Sequence, residues 1–343
     1  MFTNRMIRNL LVPVVLEQIL NSIMGTADTM MVSNVGSAAL SAVSLVDSIN
    51  VLLIQAFSAL AAGGAIVCAQ YIGQRNYEKA NMSARQVLFI ITAISVVVSA
   101  VCLIFQKPLL RLIFGAVDAD VMRASETYFF FTALSFPFIA AYDSAASIFR
   151  AQENTKGPMT ISMISNIMNI GGNAVLIWVF HLGVAGAAIS TLVSRIFCAV
   201  VVLWQLRKDR QPVVVKDYLK IRPDWSMIGR ILGLGIPSGI ENSMFQLGKL
   251  AIQSTVSTLG TAAIAAQAMT NILENLNGIA AIGVGVGLMT IVGQCLGAGR
   301  KDEAVYYIKK LCAIAEAVII VSCLIVYVLV RPVTILGGME STS

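Results

Sequence analysis

The sequence predicts an all-α integral membrane protein with about nine transmembrane helices. Only 12% of the 343 residues are charged and 57% are hydrophobic, whereas about 25% of the residues of an average soluble domain are charged. The mean hydropathy is +0.81, and the apolar runs reach the ~20 residues that a membrane-spanning helix needs. None of these runs alternates with the period of a strand. A soluble enzyme is therefore excluded.

Nine apolar runs follow one another along the chain and define the elements in order. Several runs exceed the thickness of a bilayer, so we expect tilted helices or helices that extend beyond it. We place the nine spans at 9–33, 44–72, 86–106, 125–149, 159–180, 184–206, 229–257, 267–296 and 304–330.

Basic residues are distributed unequally among the segments that join these spans. With the N-terminus in the cytoplasm, cytoplasmic segments hold 18 of the 24 lysines and arginines and outer segments hold 4, while Arg195 and Lys249 lie within spans. This bias predicts a cytoplasmic N-terminus. The net charge of +6 is thus explained by membrane topology and does not indicate nucleic-acid binding.

An internal repeat relates the beginning of the chain to its last third. Residues 13–80 align with 237–304 without a gap, and 15 of the 68 pairs are identical, among them Glu17 with Glu241. Six spans, an even number, separate the two starts, so both copies enter the membrane in the same direction. This is a parallel repeat, whose axis runs along the membrane normal.

The repeat also divides the chain into domains. We predict a six-helix N-terminal lobe over 1–206, a polar cytoplasmic linker over 207–230, and the first three helices of a second lobe over 231–343. A second copy as long as the first would need about 87 more residues, enough for three helices. We therefore expect the second lobe to be truncated at its C-terminus.

Charged residues within spans cost about 2.5–3.5 kcal/mol each at the bilayer centre on insertion scales, which makes them functional candidates. Glu17, Asn21 and Asp28 share one face of the first span, because steps of four and seven residues return to the same side of a helix. This stripe predicts either a cation or proton site or a polar packing contact between helices. The repetition of Glu17 as Glu241 also fits a structural cap or hinge.

Three further candidates lie in later spans. In the seventh, Glu241 and Lys249 lie on one side of the helix, and they predict either a gate or a plain internal ion pair. Arg195 lies in the middle of the sixth span and needs a partner, for which Asp28, Glu241 and Asp143 are candidates.

The fifth span contributes two amides. Asn169 and Asn173 are four residues apart on one face, which fits either cation coordination by side-chain oxygens or hydrogen bonding between helices. By contrast, Asp47 and Glu274 fall near the starts of their spans, so we expect both to be solvated.

Patterns typical of catalysis are absent from the sequence. No Ser-His-Asp, HExxH or P-loop pattern occurs, and His181 is the single histidine. The six cysteines show no paired short spacing, which favours packing over a metal site. We therefore expect a protein that is not an enzyme and has no cofactor.

Two pairs of segments resemble the multidrug and toxin extrusion (MATE) transporters, which are members of the multidrug/oligosaccharide-lipid/polysaccharide exporter superfamily. The first-helix segment "GTADTMMVSNVGSAALSAVSL" and its repeat counterpart "GIPSGIENSMFQLGKLAIQSTVSTLGTAAIAAQAM" resemble the helices that open the two lobes of that family. The segments "AQYIGQRNYEKA" and "GQCLGAGRKDEA" resemble those that follow its second and eighth helices. The resemblance covers essentially the whole chain.

This resemblance implies a fold of twelve helices in two six-helix lobes around a central cavity. It also implies export of organic, often cationic compounds in exchange for Na⁺ or H⁺. Asp28 matches the acidic first-helix residue of the family's cation or proton site, and Asn169 resembles an asparagine of that site. Asn173 departs from the pattern, because some members carry Asp there, which leaves the coupling ion open. No metal is expected beyond a possible Na⁺ at Asp28.

The resemblance thus implies a MATE-type multidrug antiporter of the bacterial inner membrane. We expect a monomer that contacts lipids and small organic substrates and no nucleic acid. One alternative is a lipid-linked sugar flippase of the same superfamily, which would be expected to have a strongly basic cavity, whereas Arg195 and Lys249 are the only intramembrane bases predicted here. The other alternative is a non-transporting remnant or regulatory membrane protein, which the truncation favours.

Overall fold

The computed structural model describes residues 2–114, 118–208, 211–216, 218, 221–257 and 261–336. The regular elements in these ranges are helices, which confirms the predicted all-α membrane fold. The segment "ILGGMESTS" at the end of the chain lies partly outside these ranges, as do parts of the predicted linker. The helices are α1 (Asn4–Ser33), α2 (Ser37–Gly73), α3 (Tyr77–Ile104), α4 (Gln106–Phe114), α5 (Ala119–Leu134), α6 (Phe136–Ala151), α7 (Lys156–Asn173), α8 (Gly183–Leu206), α9 (Trp225–Ser257), α10 (Thr261–Gly297) and α11 (Lys301–Leu336), with a π-helical segment (Ala174–Val179) that continues α7.

The number of membrane spans differs from the predicted nine. Within the described residues, seven helices are long and apolar enough to cross a membrane, and the number rises to eight if α5 and α6 form one bent span. Helix α9 is 33 residues long but too polar for this set, because charged and amide side chains interrupt its apolar residues. The count of nine is therefore not confirmed.

The predicted fourth span, 125–149, consists of two helices. Helices α5 and α6 meet at an angle of 42°, with Ser135 between them. Pro137 lies in the first turn of α6, and a proline there cannot donate the backbone hydrogen bond that would continue α5. The hydroxyl of Ser135 instead donates to the carbonyl of Thr132 at 2.6 Å.

The internal repeat is visible in the backbone after α2 and after α10. Arg75 and Gly299, which are equivalent in the repeat, both have a positive φ, at 57° and 74°. The hydrogen bonds around them are also equivalent, as in a helix that ends on a left-handed residue. They join Arg75 N to Ile72 O and Asn76 N to Tyr71 O in one copy, and Gly299 N to Leu296 O and Arg300 N to Cys295 O in the other.

Helices α2 and α10 cross at their C-terminal ends through repeat-equivalent contacts. A Cβ atom on Gly73 would overlap the backbone oxygen of Gln294, and one on Gly297 would overlap the backbone oxygen of Gln70. Glycine is required at both positions because the opposing atoms belong to the backbone and cannot rotate away. The two copies thus approach each other around a local two-fold relation, as expected for a parallel repeat.

Among the residues whose side chains the structure describes, most of the buried core lies in the first copy. Its buried core is built mainly around α2, which packs against α3, α5, α6, α9 and α10. A smaller apolar cluster joins the start of α1 to α10 and α11 through Ile7, Leu10, Ile291 and Leu311. Helix α1 therefore packs between α7 of the first copy and α10 of the second.

The described part of the linker is docked on the first copy. The amide nitrogen of Gln86 on α3 donates to the carbonyl of Arg222 at 2.7 Å, and its oxygen accepts from Asp224 N at 3.1 Å. Val213 and Val215 are buried. A cavity of about 430 Å³ lies beside this contact, between α3 and residues 221–224, and none of the predicted site residues lines it.

Candidate functional site

The first site lies where the second half of α1 meets the end of α7. The side-chain nitrogen of Asn173 donates to Asp28 Oδ1. The amide of Asn169 lies between Asp28 and Thr191. With its nitrogen toward the carboxylate, Asn169 donates to Asp28 Oδ1 over 3.1 Å, and its oxygen accepts from the Thr191 N–H and hydroxyl, both at 3.3 Å. The structure therefore brings Asp28, Asn169 and Asn173 together.

Local backbone features position the two amides of this site. Helix α7 becomes π-helical directly after Asn173, and π-helical turns occur frequently at functional sites. Gly172 allows close approach of α8, since a Cβ atom there would overlap Ser190 Oγ. Asn173 is fully buried, and its side-chain oxygen has no hydrogen-bond partner among the described residues.

Asn21 lies on the same face of α1 and also contacts α7. Its side-chain oxygen accepts from Ser162 Oγ at 3.1 Å and from Asn166 Nδ2 at 2.7 Å. The polar stripe predicted on α1 thus packs against α7 at this level, where it is satisfied by hydrogen bonds between helices.

Glu17 forms an ion pair at the opposite end of the stripe. Its carboxylate is 3.2 Å from the guanidinium of Arg150, which lies in the last turn of α6, and it accepts from Tyr142 Oη at 3.2 Å. The side chains are 4% and 18% exposed for Glu17 and Arg150. Arg150 therefore directs its guanidinium into the helix bundle from the end of α6.

The helix end that carries Arg150 also contacts the second copy. Thr290 and Gln294 of α10 donate to the backbone carbonyls of Arg150 and Ala151, at 3.1 and 2.9 Å. These carbonyls are among the last of α6 and have no partner inside the helix. The Glu17–Arg150 pair therefore lies next to the contact between the two copies.

Arg195 lies among acidic side chains without touching one of them. Its guanidinium donates to Ser135 Oγ at 2.7 Å, and Asp28, Asp47 and Asp143 all interact with it electrostatically. Within the described residues, no carboxylate forms a direct salt bridge with Arg195. Of the three partners considered from the sequence, Asp28 and Asp143 are near it and Glu241 is not.

Asp47, which we expected to be solvated near the start of its span, lies deeper in its helix and is partly buried. Its carboxylate is half-buried and accepts from Tyr128 Oη at 3.1 Å and from Asn50 Nδ2 at 3.2 Å. Its position follows from the start of the helix. Helix α2 begins at Ser37, well before the predicted start of the span at residue 44, so Asp47 lies about three turns inside the helix.

In the second copy, the predicted partners are not brought together. Lys249 forms a salt bridge with Glu274 of α10, at 2.8 Å, and its ammonium group also lies 5.1 Å from the centre of the Phe245 ring. Glu241 is exposed, and the described residues provide it with no hydrogen bond or ion pair. Sequence spacing placed Glu241 and Lys249 on one helix face, but the neighbouring helix supplies the closer carboxylate.

Groups suited to a multidentate metal site are not found in the described part of the chain. No three His, Cys, Asp or Glu residues lie close enough there to hold a metal ion. Cys68, Cys102, Cys198 and Cys295 are buried free thiols. The arrangement at Asp28 instead offers one carboxylate and two amides, a combination suited to a small cation or a proton.

A comparison with known families now identifies the fold. The family model MatE matches residues 13–175 and 237–342, which together make up most of the chain. The two matches begin 224 residues apart, which is the interval of the internal repeat. The chain belongs to the MatE family. The resemblance predicted from the sequence is therefore confirmed at the level of the family.

Curated relatives of the chain include probable multidrug resistance proteins. It is 27% identical over 302 residues to the probable multidrug resistance protein YoeA of Bacillus subtilis, covering 85% of this chain and 64% of that protein. It is 24% identical over 308 residues to the probable multidrug resistance protein NorM of Thermotoga maritima, covering 88% of this chain and 65% of that protein. The chain therefore spans just under two thirds of the length of these relatives.

Solved structures show the same MATE fold. A MOP superfamily transporter from Pyrococcus furiosus, whose binding pocket is described as having reverse polarity, superposes with a TM-score of 0.88 at 18% identity, covering 98% of this chain and 74% of that one. An outward-facing multidrug resistance MATE transporter superposes with a TM-score of 0.87 at 19% identity, covering 94% and 71%.

Proposed function

We propose that this chain exports organic, often cationic compounds from a bacterial cell by antiport against Na⁺ or H⁺. The observation that carries the proposal is the cluster of Asp28, Asn169 and Asn173, in which one intramembrane carboxylate is held by two amides of α7. Placing a carboxylate within a membrane helix costs free energy. Exchange of a cation or proton at that carboxylate accounts for its presence there.

The coupling follows from the hydrogen bonds at Asp28. An ionised carboxylate accepts both amide N–H groups and holds α1 against α7. A cation or proton that binds there competes with these bonds and changes how α1 packs. An ion that binds one conformation better than the other shifts the equilibrium between inward-facing and outward-facing states. The two parallel copies supply bodies that rock against each other.

The proposal also includes the orientation of the chain in the membrane and the membrane in which it acts. The distribution of basic residues supports a cytoplasmic N-terminus, and in this orientation Asp28 lies toward the outer side of the membrane, from which we propose that the coupling ion enters. We propose that the protein acts in the bacterial inner membrane as a monomer surrounded by lipid. The flippase alternative gains no support, because the guanidinium groups of Arg150 and Arg195 lie among carboxylates and do not form a basic cavity.

Replacing Asp28 tests this function directly. We expect Asp28→Asn to reduce the drug resistance of a hypersensitive bacterial strain to the level of the empty vector, because asparagine is isosteric but carries no exchangeable charge. The measurement is the minimum inhibitory concentration of several cationic compounds at matched protein levels. The control is Asp120→Asn, which removes an exposed carboxylate in the first turn of α5. Full resistance from Asp28→Asn would show that the coupling role is wrong.

Reconstitution separates the exporter from the non-transporting alternative. We expect the purified chain in liposomes to take up substrate in response to an imposed ion gradient, and Asp28→Asn to abolish that uptake. A wild-type chain without substrate-dependent ion flux would instead favour the remnant or regulatory protein.

A further inference from the structure

A second polar cluster lies beside the Asp28 site in the first copy. Tyr128 Oη and Asn50 Nδ2 both donate to one oxygen of Asp47, Oδ1, at 3.1 and 3.2 Å. Within the described residues, the other oxygen, Oδ2, has no hydrogen bond. Asp47 and Asp28 lie near enough to interact electrostatically. The carboxylate of Asp47 therefore has one oxygen available for a ligand.

Asn50 provides a second, independent observation that points to a ligand at this cluster. The residue is only 3% exposed, and its side-chain oxygen is buried without a hydrogen-bond partner. Burial of an unpaired amide oxygen is unfavourable because the group loses its hydration. Since the nitrogen of the same amide bonds to Asp47, the unpaired oxygen lies at this cluster.

The two clusters repeat one chemical arrangement. At Asp28, the nitrogen of Asn173 donates to the carboxylate while the oxygen of Asn173 is buried without a partner. At Asp47, the nitrogen of Asn50 likewise donates to the carboxylate, while the oxygen of Asn50 is buried without a partner. Each cluster thus combines an acidic oxygen with an uncommitted amide oxygen, and oxygen ligands of these types suit hard cations.

The charged side chains inside the first copy also carry a net negative charge that two bound cations would balance. The interior carboxylates are Glu17, Asp28, Asp47 and Asp143, and the interior guanidinium groups are Arg150 and Arg195. Arg150 pairs directly with Glu17, and Arg195 offsets one of the remaining three. The described interior therefore carries a charge of −2 when all groups are ionised, and uncompensated buried charge is costly.

We propose that Asp47 and Asn50 form a second Na⁺ site, so that the first lobe binds a cation there in addition to the one at Asp28. The free oxygen of Asp47 and the side-chain oxygen of Asn50 bind the ion, and Tyr128 orients the carboxylate. The guanidinium of Arg195 partly neutralises the nearby carboxylates but occupies neither cation site. The proposal rests on the proposed ion coupling at Asp28 and extends it to a second ion.

Counting bound ions tests the second site without measuring drug transport. We expect equilibrium binding of ²²Na⁺ to the purified full chain in detergent to show one Na⁺ fewer per chain in Asp47→Asn than in wild type. The exposed-carboxylate variant Asp120→Asn should bind as many ions as wild type. Thermal unfolding of each variant checks that the fold is kept. An unchanged number of bound Na⁺ in Asp47→Asn, including none in either protein, overturns the proposal.

A second variant separates the site from a general effect of the lost charge. Asn50→Leu keeps Asp47 but removes the amide oxygen, and we expect the Na⁺ affinity of the second site to fall at least about tenfold. Unchanged affinity in Asn50→Leu would also overturn the proposal. Drug resistance of Asp28→Asn is a separate readout, so a failed ion count at Asp47 is distinguishable from a failed function at Asp28.

Discussion

Glu17→Leu is expected to lower the free energy of unfolding by about 3–5 kcal/mol, the range for removal of one partner from a buried ion pair. The substitution keeps a side chain of similar volume but leaves the guanidinium of Arg150 without its carboxylate at 3.2 Å. Tyr142 retains the carbonyl of Pro158 as an acceptor at 3.1 Å, so the main loss falls on Arg150. The measurement is unfolding in mixed micelles, followed by tryptophan fluorescence.

The chain supplies a matched control for this experiment in its own repeat. Glu241 is the repeat equivalent of Glu17, but it is exposed and has no ion-pair partner among the described residues. Glu241→Leu should change stability by less than about 0.5 kcal/mol, the usual range for surface substitutions. The double variant Glu17→Leu/Arg150→Met should recover most of the lost stability, because an apolar pair needs no charge compensation. Equal effects at Glu17 and Glu241 would contradict a buried ion pair.

The difference between Glu17 and Glu241 shows what the internal repeat can and cannot predict. The repeat correctly indicates equivalent backbones, since the loops at Arg75 and Gly299 share their positive φ and their hydrogen bonds. It does not indicate equivalent surroundings. Glu17 is buried because α6 of the same copy supplies Arg150, whereas the described residues supply no cation to Glu241.

From the sequence, the candidate site could be predicted only as sets of residues that share one face of a single helix. Helical periodicity places Glu17, Asn21 and Asp28 on one face, and a second face carries Asn169 and Asn173, so the sequence indicates both halves of the Asp28 site. Periodicity says nothing about which helix lies opposite. For that reason it could not choose Glu274 as the partner of Lys249, nor place Asp47 beside Tyr128.

The structure joins these residues into one arrangement along α1. Glu17 and Asp28 are separated by eleven residues, or about 16 Å of helix. Glu17 holds α1 to the end of α6 that receives Thr290 and Gln294 from the second copy. Asp28 holds α1 to α7 at the proposed ion site. A change at Asp28 therefore acts on a helix that is anchored, at its other end, next to the contact between the two copies.

Gly297→Ala is expected to separate the C-terminal ends of α2 and α10. A Cβ atom at this position would overlap the backbone oxygen of Gln70, and the equivalent atom at Gly73 would overlap that of Gln294. Because neither obstacle can rotate away, the helices must move apart at a cost of about 1–3 kcal/mol. This movement also weakens the hydrogen bonds from Thr290 and Gln294 to α6. We expect a shift toward conformations in which the two copies are open at this end.

A native thiol beside the crossing reports this opening. Cys295 is fully buried next to Gln294, so a maleimide should modify it slowly in wild type and at least about tenfold faster in Gly297→Ala, a shift of roughly 1.4 kcal/mol toward the open form. The measurement uses a background in which the exposed Cys312 and Cys323 are replaced by serine. Gly285→Ala is the matched control, since it adds the same atom to the same helix with nothing within 4 Å. If Cys295 reacts at the same rate in both variants, the glycine crossing does not hold the copies together, and the closure must reside in the hydrogen bonds to α6 instead.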